Sequence, residues 1–180
     1  MKLFTYIAAF CMFISGVANA VELFDRDVAN EKLSPILTVL KEGIKKHDVS
    51  IFEKYVLFPL NISYEEQYVA ADGTVKLRTE KIQTASELQQ RFDDVFTPTV
   101  VRLIDCMTPE KMMYNKYKGF NAASGGIWFL DVFSKDTRER MFVLSSISTN
   151  KTVTENWIRL NCEEASNKVI HPTSKSGAAD

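Results

Sequence analysis

Asp131 is the residue of this sequence that could best serve as an acid or a base. It lies in the apolar segment 127–133, where strand alternation places it on the same face as Ile127, Phe129 and Phe133. A carboxylate on such a face can have a raised pKa and act as a general base. The alternative is a side chain near a strand end that is solvated or paired with Arg138 or Arg140. We expect the alternative and keep Asp131 as a catalytic candidate.

Aromatic side chains supply the candidates for a binding pocket. Tyrosine hydroxyls can provide polar groups in an apolar pocket, and tryptophan is frequent both in pockets and on partner surfaces. The same residue types also fill ordinary cores, so their presence alone does not define a site. If a small apolar ligand binds, we expect it to contact Tyr64, Phe92, Tyr117, Trp128 and Phe129.

Residues 1–20 have the pattern of a secretory signal peptide. Lys2 precedes an apolar run over residues 3–14, and Ala18-Asn19-Ala20 is a typical cleavage sequence. The run is short for a membrane span, which takes about 20 residues. We predict cleavage after Ala20, which leaves no stable membrane span, and a bacterial protein that is periplasmic or secreted.

Cys106 and Cys162 are the cysteines that remain after cleavage, because Cys11 lies in the leader. An even number in an oxidising compartment favours a disulfide, although two unrelated buried thiols are the alternative. The bridge would close a long loop of the chain. In the chain-entropy model such a loop stabilises the fold by roughly 4 kcal/mol.

Several chemistries lack the residues they need. The only histidines, His47 and His171, lack ligand spacing with the cysteines, so we predict no metal site. There is no G-x-S-x-G turn and no glycine-rich phosphate loop, and we predict no cofactor. The formal net charge of −1 offers no basic excess for nucleic acid. We interpret His47, which follows a lysine run, as a helix-end residue.

Sequence patterns predict helices in the first half of the chain and a hairpin between them. Ser34-Pro35 resembles a helix start, with an apolar stripe running to Ile44. Segments 61–69 and 75–78 are typical of strands, and the Asp-Gly pair between them predicts a hairpin turn. Helices are predicted to begin at Thr84, which forms a capping box with Glu87, and at Thr97-Pro98.

Strands dominate the second half. They are predicted over residues 112–117, 127–133 and 141–149, with a further strand or irregular edge over 152–160. This order predicts one α+β domain over residues 21–165, with N-terminal helices packed on one face of a curved antiparallel sheet. Residues 166–180 are predicted to form a flexible polar tail.

Four segments together resemble the nuclear transport factor 2-like superfamily. They are the opening helix with residues 52–60, then 87–92, 95–98 and 125–129. The resemblance covers roughly residues 30–149 and implies a cone-shaped, cystatin-like half-barrel, as in uncharacterised exported bacterial members. The superfamily includes isomerases, dehydratases, hydrolases and non-catalytic binding proteins, so fold alone does not give activity. Many members pair through the open sheet face, which implies that a homodimer could form.

Three functions follow from these observations. The first is an exported, non-catalytic protein that binds a small apolar ligand or a periplasmic protein partner in or on a curved sheet. The second is a periplasmic immunity or inhibitor protein directed against a toxin or hydrolase. The third is an isomerase- or hydrolase-like enzyme that uses Asp131 with a tyrosine.

Expression of the full chain in a bacterium with two membranes tests the leader. We expect the periplasmic fraction to contain a product that begins at Val21 and ends at Asp180, as read by intact-mass measurement and N-terminal sequencing. A product retained in the cytosol with Met1 to Ala20 attached would contradict this interpretation.

Overall fold

The computed structural model of the chain describes residues 23–134 and 138–163. The predicted leader (residues 1–20) and the predicted polar tail (residues 166–180) lie outside the described residues, as does His171. Within the described part, no helix is long and apolar enough to cross a membrane.

The first helix, α1 (Arg26–Lys46), is the longest, with 21 residues. It begins at Asp25, whose side chain accepts a hydrogen bond from the backbone N–H of Val28 at 2.9 Å. The predicted start at Ser34 is therefore wrong. Pro35 lies inside the helix on its exposed side, where its ring avoids the core. The buried stripe extends further back than predicted and comprises Ala29, Leu33, Ile36, Leu37, Leu40, Gly43 and Ile44.

Six strands form one sheet. They are β1 (Val56–Val69), β2 (Val75–Ile82), β3 (Met113–Asn115), β4 (Gly119–Ala122), β5 (Ile127–Phe133) and β6 (Arg140–Ser148). Their order in the sheet is β2-β1-β6-β5-β4-β3. Four of the five pairings are antiparallel, but β1 and β6 run parallel, so the predicted antiparallel sheet is wrong at its centre.

Strand β4 was not predicted from the sequence, because it is short and begins at a glycine. Gly119 has φ +91°, and a Cβ atom there would overlap the backbone carbonyl oxygen of Phe129 on β5. Only glycine allows that close approach. The turn into β4 therefore depends on this residue.

Four further α-helices, all short, are present among the described residues. They are α2 (Ala85–Gln90), α3 (Phe92–Val95), α4 (Pro98–Cys106) and α5 (Lys151–Ile158). The capping box is confirmed: Thr84 accepts from the N–H of Glu87 at 3.1 Å, and Glu87 accepts from the N–H of Gln83 at 2.7 Å. Thr97 caps α4 as predicted.

Helix α5 corrects the prediction of a strand or irregular edge over residues 152–160. Asn150 caps it by accepting a hydrogen bond from the N–H of Val153 at 3.2 Å. Thr154 and Ile158 are buried one helical turn apart, on the same side of the helix. The β-branched residues of this segment favoured a strand, but the cap and the packing against α4 decide its structure.

The core lies between α1 and one face of the sheet, which we call the inner face. Its strand pairing sets Phe120 opposite Phe129, and Phe129 opposite Leu144, so these side chains share the face. Phe120, Phe129 and Phe142 are fully buried there, and Phe120 meets Phe142 edge-on with ring centroids 5.1 Å apart. The inner face is thus filled by aromatic side chains.

Cys106 at the end of α4 and Cys162 after α5 are compatible with a disulfide bond. Their sulfur atoms are in contact, and their Cα atoms are 6.0 Å apart. That Cα distance is typical of disulfides. The pair joins the C-terminal helix to α4.

Replacement of both cysteines by serine tests this bridge. We expect Cys106→Ser/Cys162→Ser to lower the free energy of unfolding by roughly 4 kcal/mol or somewhat less, measured by urea denaturation of the mature protein. Reduction of the wild-type protein should cause the same loss, and the double variant should not respond to reductant. A wild-type protein whose unfolding is insensitive to reductant would show that the thiols are not bridged.

Candidate functional site

Asp131 and Arg140 form a buried ion pair on the inner face. Arg140 Nε donates to Asp131 Oδ1 at 2.9 Å, and Arg140 Nη2 donates to Asp131 Oδ2 at 2.5 Å. The Arg140 side chain is 14% exposed and the Asp131 side chain is 1% exposed. They lie on the same face because β5 and β6 pair Asp131 with Phe142 and Phe133 with Arg140. The structure thus gives Asp131 the arginine partner that was the alternative to a catalytic role.

Tyr114 lies beside this ion pair. Its strand β3 sets it opposite Phe120, and its hydroxyl donates to the backbone carbonyl oxygen of Phe24 at 2.8 Å. Burial raises the pKa of Tyr114, and the negative charge of Asp131 adds to this increase. Asp131 and Tyr114 thus influence each other electrostatically, but each is held by another partner, Asp131 by Arg140 and Tyr114 by the Phe24 carbonyl oxygen.

Phe24 covers this part of the inner face. Its ring lies 5.9 Å from that of Phe142, centroid to centroid, and the Arg140 guanidinium carbon is 5.3 Å from its centre. Lys32 Nζ is 4.9 Å from the same centre. Such cation–ring contacts are favourable. A cleft of about 440 Å³ adjoins this point, and its described walls are Leu23, Phe24, Asp25 and Val28.

A second cleft, of about 190 Å³, lies between α1 and the segment that joins α4 to β3. We call it the α1 cleft; it is lined by Ser34, Leu37, Thr38, Lys41, Met107, Thr108, Pro109 and Glu110. Lys41 Nζ donates to the carbonyl oxygen of Met107 at 2.8 Å. Burial lowers the pKa of Lys41, although Asp105 opposes the shift.

Arg26 binds the end of this segment that lies further along the chain, at residues 109–112. Its Nη2 atom donates to the carbonyl oxygens of Pro109 at 2.7 Å and Met112 at 3.0 Å. Arg26 and Lys41 lie in different turns of α1, and both bind main-chain oxygens of residues 107–112. The two side chains thereby fix the wall of the α1 cleft.

The structure does not bring the five predicted pocket residues together. Phe92 is buried beside Phe96, with ring centroids 4.7 Å apart, and Phe129 is fully buried. Tyr117 is 69% exposed in the turn between β3 and β4. As a ligand pocket, this set of residues stays a prediction.

Tyr64 and Trp128 lie in two further environments. Tyr64 is half-buried and binds Arg91 and Glu80 through its hydroxyl. Trp128 is half-buried and faces away from the inner face, opposite Ser146. Since neighbouring residues of a strand point to opposite faces, Trp128 and Phe129 could not both have lined one side of the sheet.

A two-stranded arm projects beyond the six-stranded sheet, and sequence reasoning did not single it out as a site. Pairing between β1 and β6 ends at Ser63, opposite Ser148. Apart from Thr79, which pairs with Ser63, residues 65–79 of the hairpin have only each other as strand neighbours in the described part of the chain. We call residues 65–79 the arm. All of them are exposed apart from the half-buried Ala70. The predicted Asp-Gly turn is confirmed at its tip, where Gly73 has φ +79°.

Apolar side chains line one face of the arm. Strand pairing sets Val69 opposite Val75 and Gln67 opposite Leu77, so these residues share a face. Val69, Val75 and Leu77 are 71%, 64% and 40% exposed. Glu80 and Ile82 of β2 pair with the buried Ile62 and Leu60, so they lie on the inner face. Val75 and Leu77 are on the opposite side of β2, and the apolar face of the arm therefore points away from the inner face. The signal in the sequence was an apolar residue on each side of the turn.

Charged groups hold the base of the arm. Arg78 binds Glu66 at 2.8 Å and also Glu80, and it lies over the ring of Tyr64 at 4.8 Å. Arg91 of the α2–α3 region binds Glu80 at 2.7 Å. These ion pairs are partly exposed and individually weak, but as a network they join the arm to the helices.

His47 and the possible metal ligands do not form a further candidate site among the described residues. His47 follows the last residue of α1 with φ +54°, and its ring contacts that of Phe92 at a tilt, with centroids 4.9 Å apart, which agrees with a helix-end role. Among residues 23–134 and 138–163, no three His, Cys, Asp or Glu side chains are grouped to hold a metal ion.

Comparison of the chain with models of known protein families, with curated proteins and with solved structures gives no match. The resemblance to the nuclear transport factor 2-like superfamily therefore stays a prediction. The function has to be inferred from the inner face, the α1 cleft and the arm.

The buried ion pair gives a stability prediction. We expect Arg140→Met to lower the free energy of unfolding by about 3–5 kcal/mol, because it leaves the Asp131 carboxylate buried without its guanidinium. The double variant Asp131→Leu/Arg140→Met should recover much of that loss, since no buried charge is left alone. Urea denaturation measures both values.

The exposed pair Glu42–Lys46, 2.6 Å apart on α1, is the control. Lys46→Met should change the free energy of unfolding by less than about 1 kcal/mol. Equal small effects for Arg140→Met and Lys46→Met would mean that Asp131 is not buried with Arg140 in solution.

Proposed function

We propose that this chain is an exported, non-catalytic binding protein that holds a protein partner on its arm. The observation that carries the proposal is the exposed apolar face formed by Val69, Val75 and Leu77 on a ribbon outside the core. Exposed apolar side chains that gather on one face are typical of interaction surfaces.

The partner that fits the arm is an extended segment of another exported protein. β2 is an edge strand of the sheet, so one side of its backbone has no neighbouring strand among the described residues. Free strand edges accept an added strand through main-chain hydrogen bonds, and neighbouring side chains then provide selectivity. An isolated two-stranded ribbon is only marginally stable in water, so a third strand would also stabilise the arm.

The charges along β2 favour a selective partner over general aggregation. Lys76 and Arg78 alternate with uncharged residues on this edge strand. Charged side chains on edge strands discourage pairing with strands that do not match them. An immunity or inhibitor protein would use the same projecting surface, so that alternative differs in the identity of the partner only.

Two other functions have less support. A small apolar ligand would need space at the inner face, where Phe120, Phe129 and Phe142 are fully buried against one another and α1. An enzyme acting through Asp131 would need a carboxylate free to take a proton, whereas both of its oxygens accept hydrogen bonds from Arg140.

The α+β architecture is observed, and its assignment to a cystatin-like half-barrel is a proposal. An α+β domain with a mostly antiparallel six-stranded sheet and α1 across one face is compatible with a cystatin-like half-barrel of the nuclear transport factor 2-like kind. Export to the periplasm and pairing of two chains through the sheet likewise remain proposals.

Binding by arm variants tests the function. The mature protein is used to isolate partners from a periplasmic extract, and each partner is then purified and titrated against it. We expect Val75→Thr/Leu77→Thr to raise the dissociation constant by roughly tenfold or more, because it removes apolar atoms that the partner would bury and adds hydroxyl groups, while keeping strand-forming residues. Val153→Thr on α5, another exposed valine, should leave affinity unchanged.

Hydrogen exchange locates the contact. Partner binding should slow exchange of the backbone amides in Val75–Ile82. Absence of any specific partner, equal affinity of the arm variant, or protection confined to Met113–Asn115 at the other sheet edge would each contradict the proposal.

A further inference from the structure

We propose that the Lys41 amine in the α1 cleft is a covalent capture site for small aldehydes, which it binds reversibly as an imine. This site is separate from the arm and does not depend on the proposed function. The observation that carries it is a half-buried lysine amine on the wall of a cleft of about 190 Å³.

The α1 cleft holds the amine in a defined place. Lys41 Nζ donates one hydrogen bond to the carbonyl oxygen of Met107 at 2.8 Å, and Arg26 keeps residues 109–112 in position from the other end of the segment. A neutral amine can keep this N–H···O bond while its lone pair stays unused. The carbonyl therefore positions the nitrogen without consuming the electron pair that reacts.

The surroundings make the neutral, nucleophilic form easier to reach than it is for a fully exposed lysine. Partial burial lowers the pKa of Lys41, and the positive charge of Lys111 acts in the same direction, whereas Asp105 opposes it. Glu110 is the other charged group on the cleft wall. Desolvated lysines are the ones that form imines with carbonyl compounds in proteins.

The size of the cleft selects a small substrate. Among its lining residues Leu37, Met107 and Pro109 are buried, and Ser34, Thr38 and Thr108 offer hydroxyls. A volume of about 190 Å³ holds a chain of a few carbon atoms but is smaller than typical drug-sized pockets. Short aliphatic aldehydes fit this description.

The reaction balances without an oxidant or a reductant. The Nζ lone pair forms a bond to the aldehyde carbon, and the carbonyl π electrons move to the oxygen, which receives one of the two amine protons through solvent. The hydroxyl group of the resulting carbinolamine takes a proton from solvent and leaves as water, and the nitrogen keeps its second proton, so that the protonated imine still donates to the Met107 carbonyl oxygen. The product is an imine that water hydrolyses in the reverse reaction.

Trapping with propanal tests the site. The mature protein is incubated with a limiting amount of propanal and cyanoborohydride at neutral pH, and the reduced adducts are located by peptide mass spectrometry. We expect the modified fraction at Lys41 to exceed that at Lys45, an exposed lysine on the same helix, by at least about threefold.

Two variants show that the cleft causes the preference. Lys41→Arg keeps a donor for the Met107 carbonyl and should abolish the adduct in this peptide without unfolding the protein. Thr38→Met, which fills the cleft from an exposed position of its wall, should reduce labelling of Lys41 to the level of Lys45. Thermal unfolding shows whether both variants are folded. Equal labelling of Lys41 and Lys45, or labelling of Lys41 that a filled cleft does not change, would overturn the proposal.

Discussion

The parallel pairing of β1 with β6 is the contact on which the rest of the fold depends. These strands lie in opposite halves of the chain, and their pairing joins the β1–β2 hairpin to the β3–β6 meander in one sheet. It ends where Ser63 meets Ser148, and the N–H of Thr149 donates to the Ser63 carbonyl oxygen at 2.8 Å. The chain then turns into α5 instead of following β1 further.

That end point divides β1 into two parts with different roles. The half that pairs with β6 places Leu60 and Ile62 in the core, where both are fully buried. The half beyond Ser63 begins with a register shift, since three residues of β1 but only Arg78 of β2 lie between the pairs Ser63–Thr79 and Gln67–Leu77. Irregularities of this kind bend and twist a strand. The arm is thus a direct consequence of how far the central pairing extends.

Local signals in the sequence predicted those elements whose structure is decided locally. The Asp-Gly turn, the Thr84 capping box and the strand Ile127–Phe133 depend on neighbouring residues and agree with the structure. The start of α1 was wrong because Ser34-Pro35 imitates a cap, whereas the Asp25 cap and the buried Ala29 begin the helix more than two turns earlier. The β1–β6 pairing and α5 depend on packing between distant segments, which residue patterns do not contain.

The same distinction holds for the candidate sites: those formed by neighbouring residues could be predicted from the sequence, and those formed by distant segments could not. The sequence identified Asp131 and its arginine alternative, because strand alternation and two nearby arginines are visible in the residues themselves. Its five pocket residues were chosen by type alone, and the fold distributes them between the core, the opposite face of the sheet and solvent. The α1 cleft and the arm were not predicted, since one depends on the approach of residues 107–112 to α1 and the other on where β6 ends.

An apolar inner face with one ion pair is the reason that the proposed recognition surface lies outside the core. A buried carboxylate is tolerated only when its hydrogen bonds are satisfied, and Arg140 does this for Asp131. The arginine then lies beneath Phe24, so the ion pair also contributes to closing the inner face. Since α1 and the aromatic side chains fill that face, changes there alter stability first. Residues of the arm lie beyond it, and sites without shared partners contribute to stability almost independently. The arm can therefore change while the core stays unchanged, whereas the α1 cleft shares the buried Leu37 and Met107 with the core.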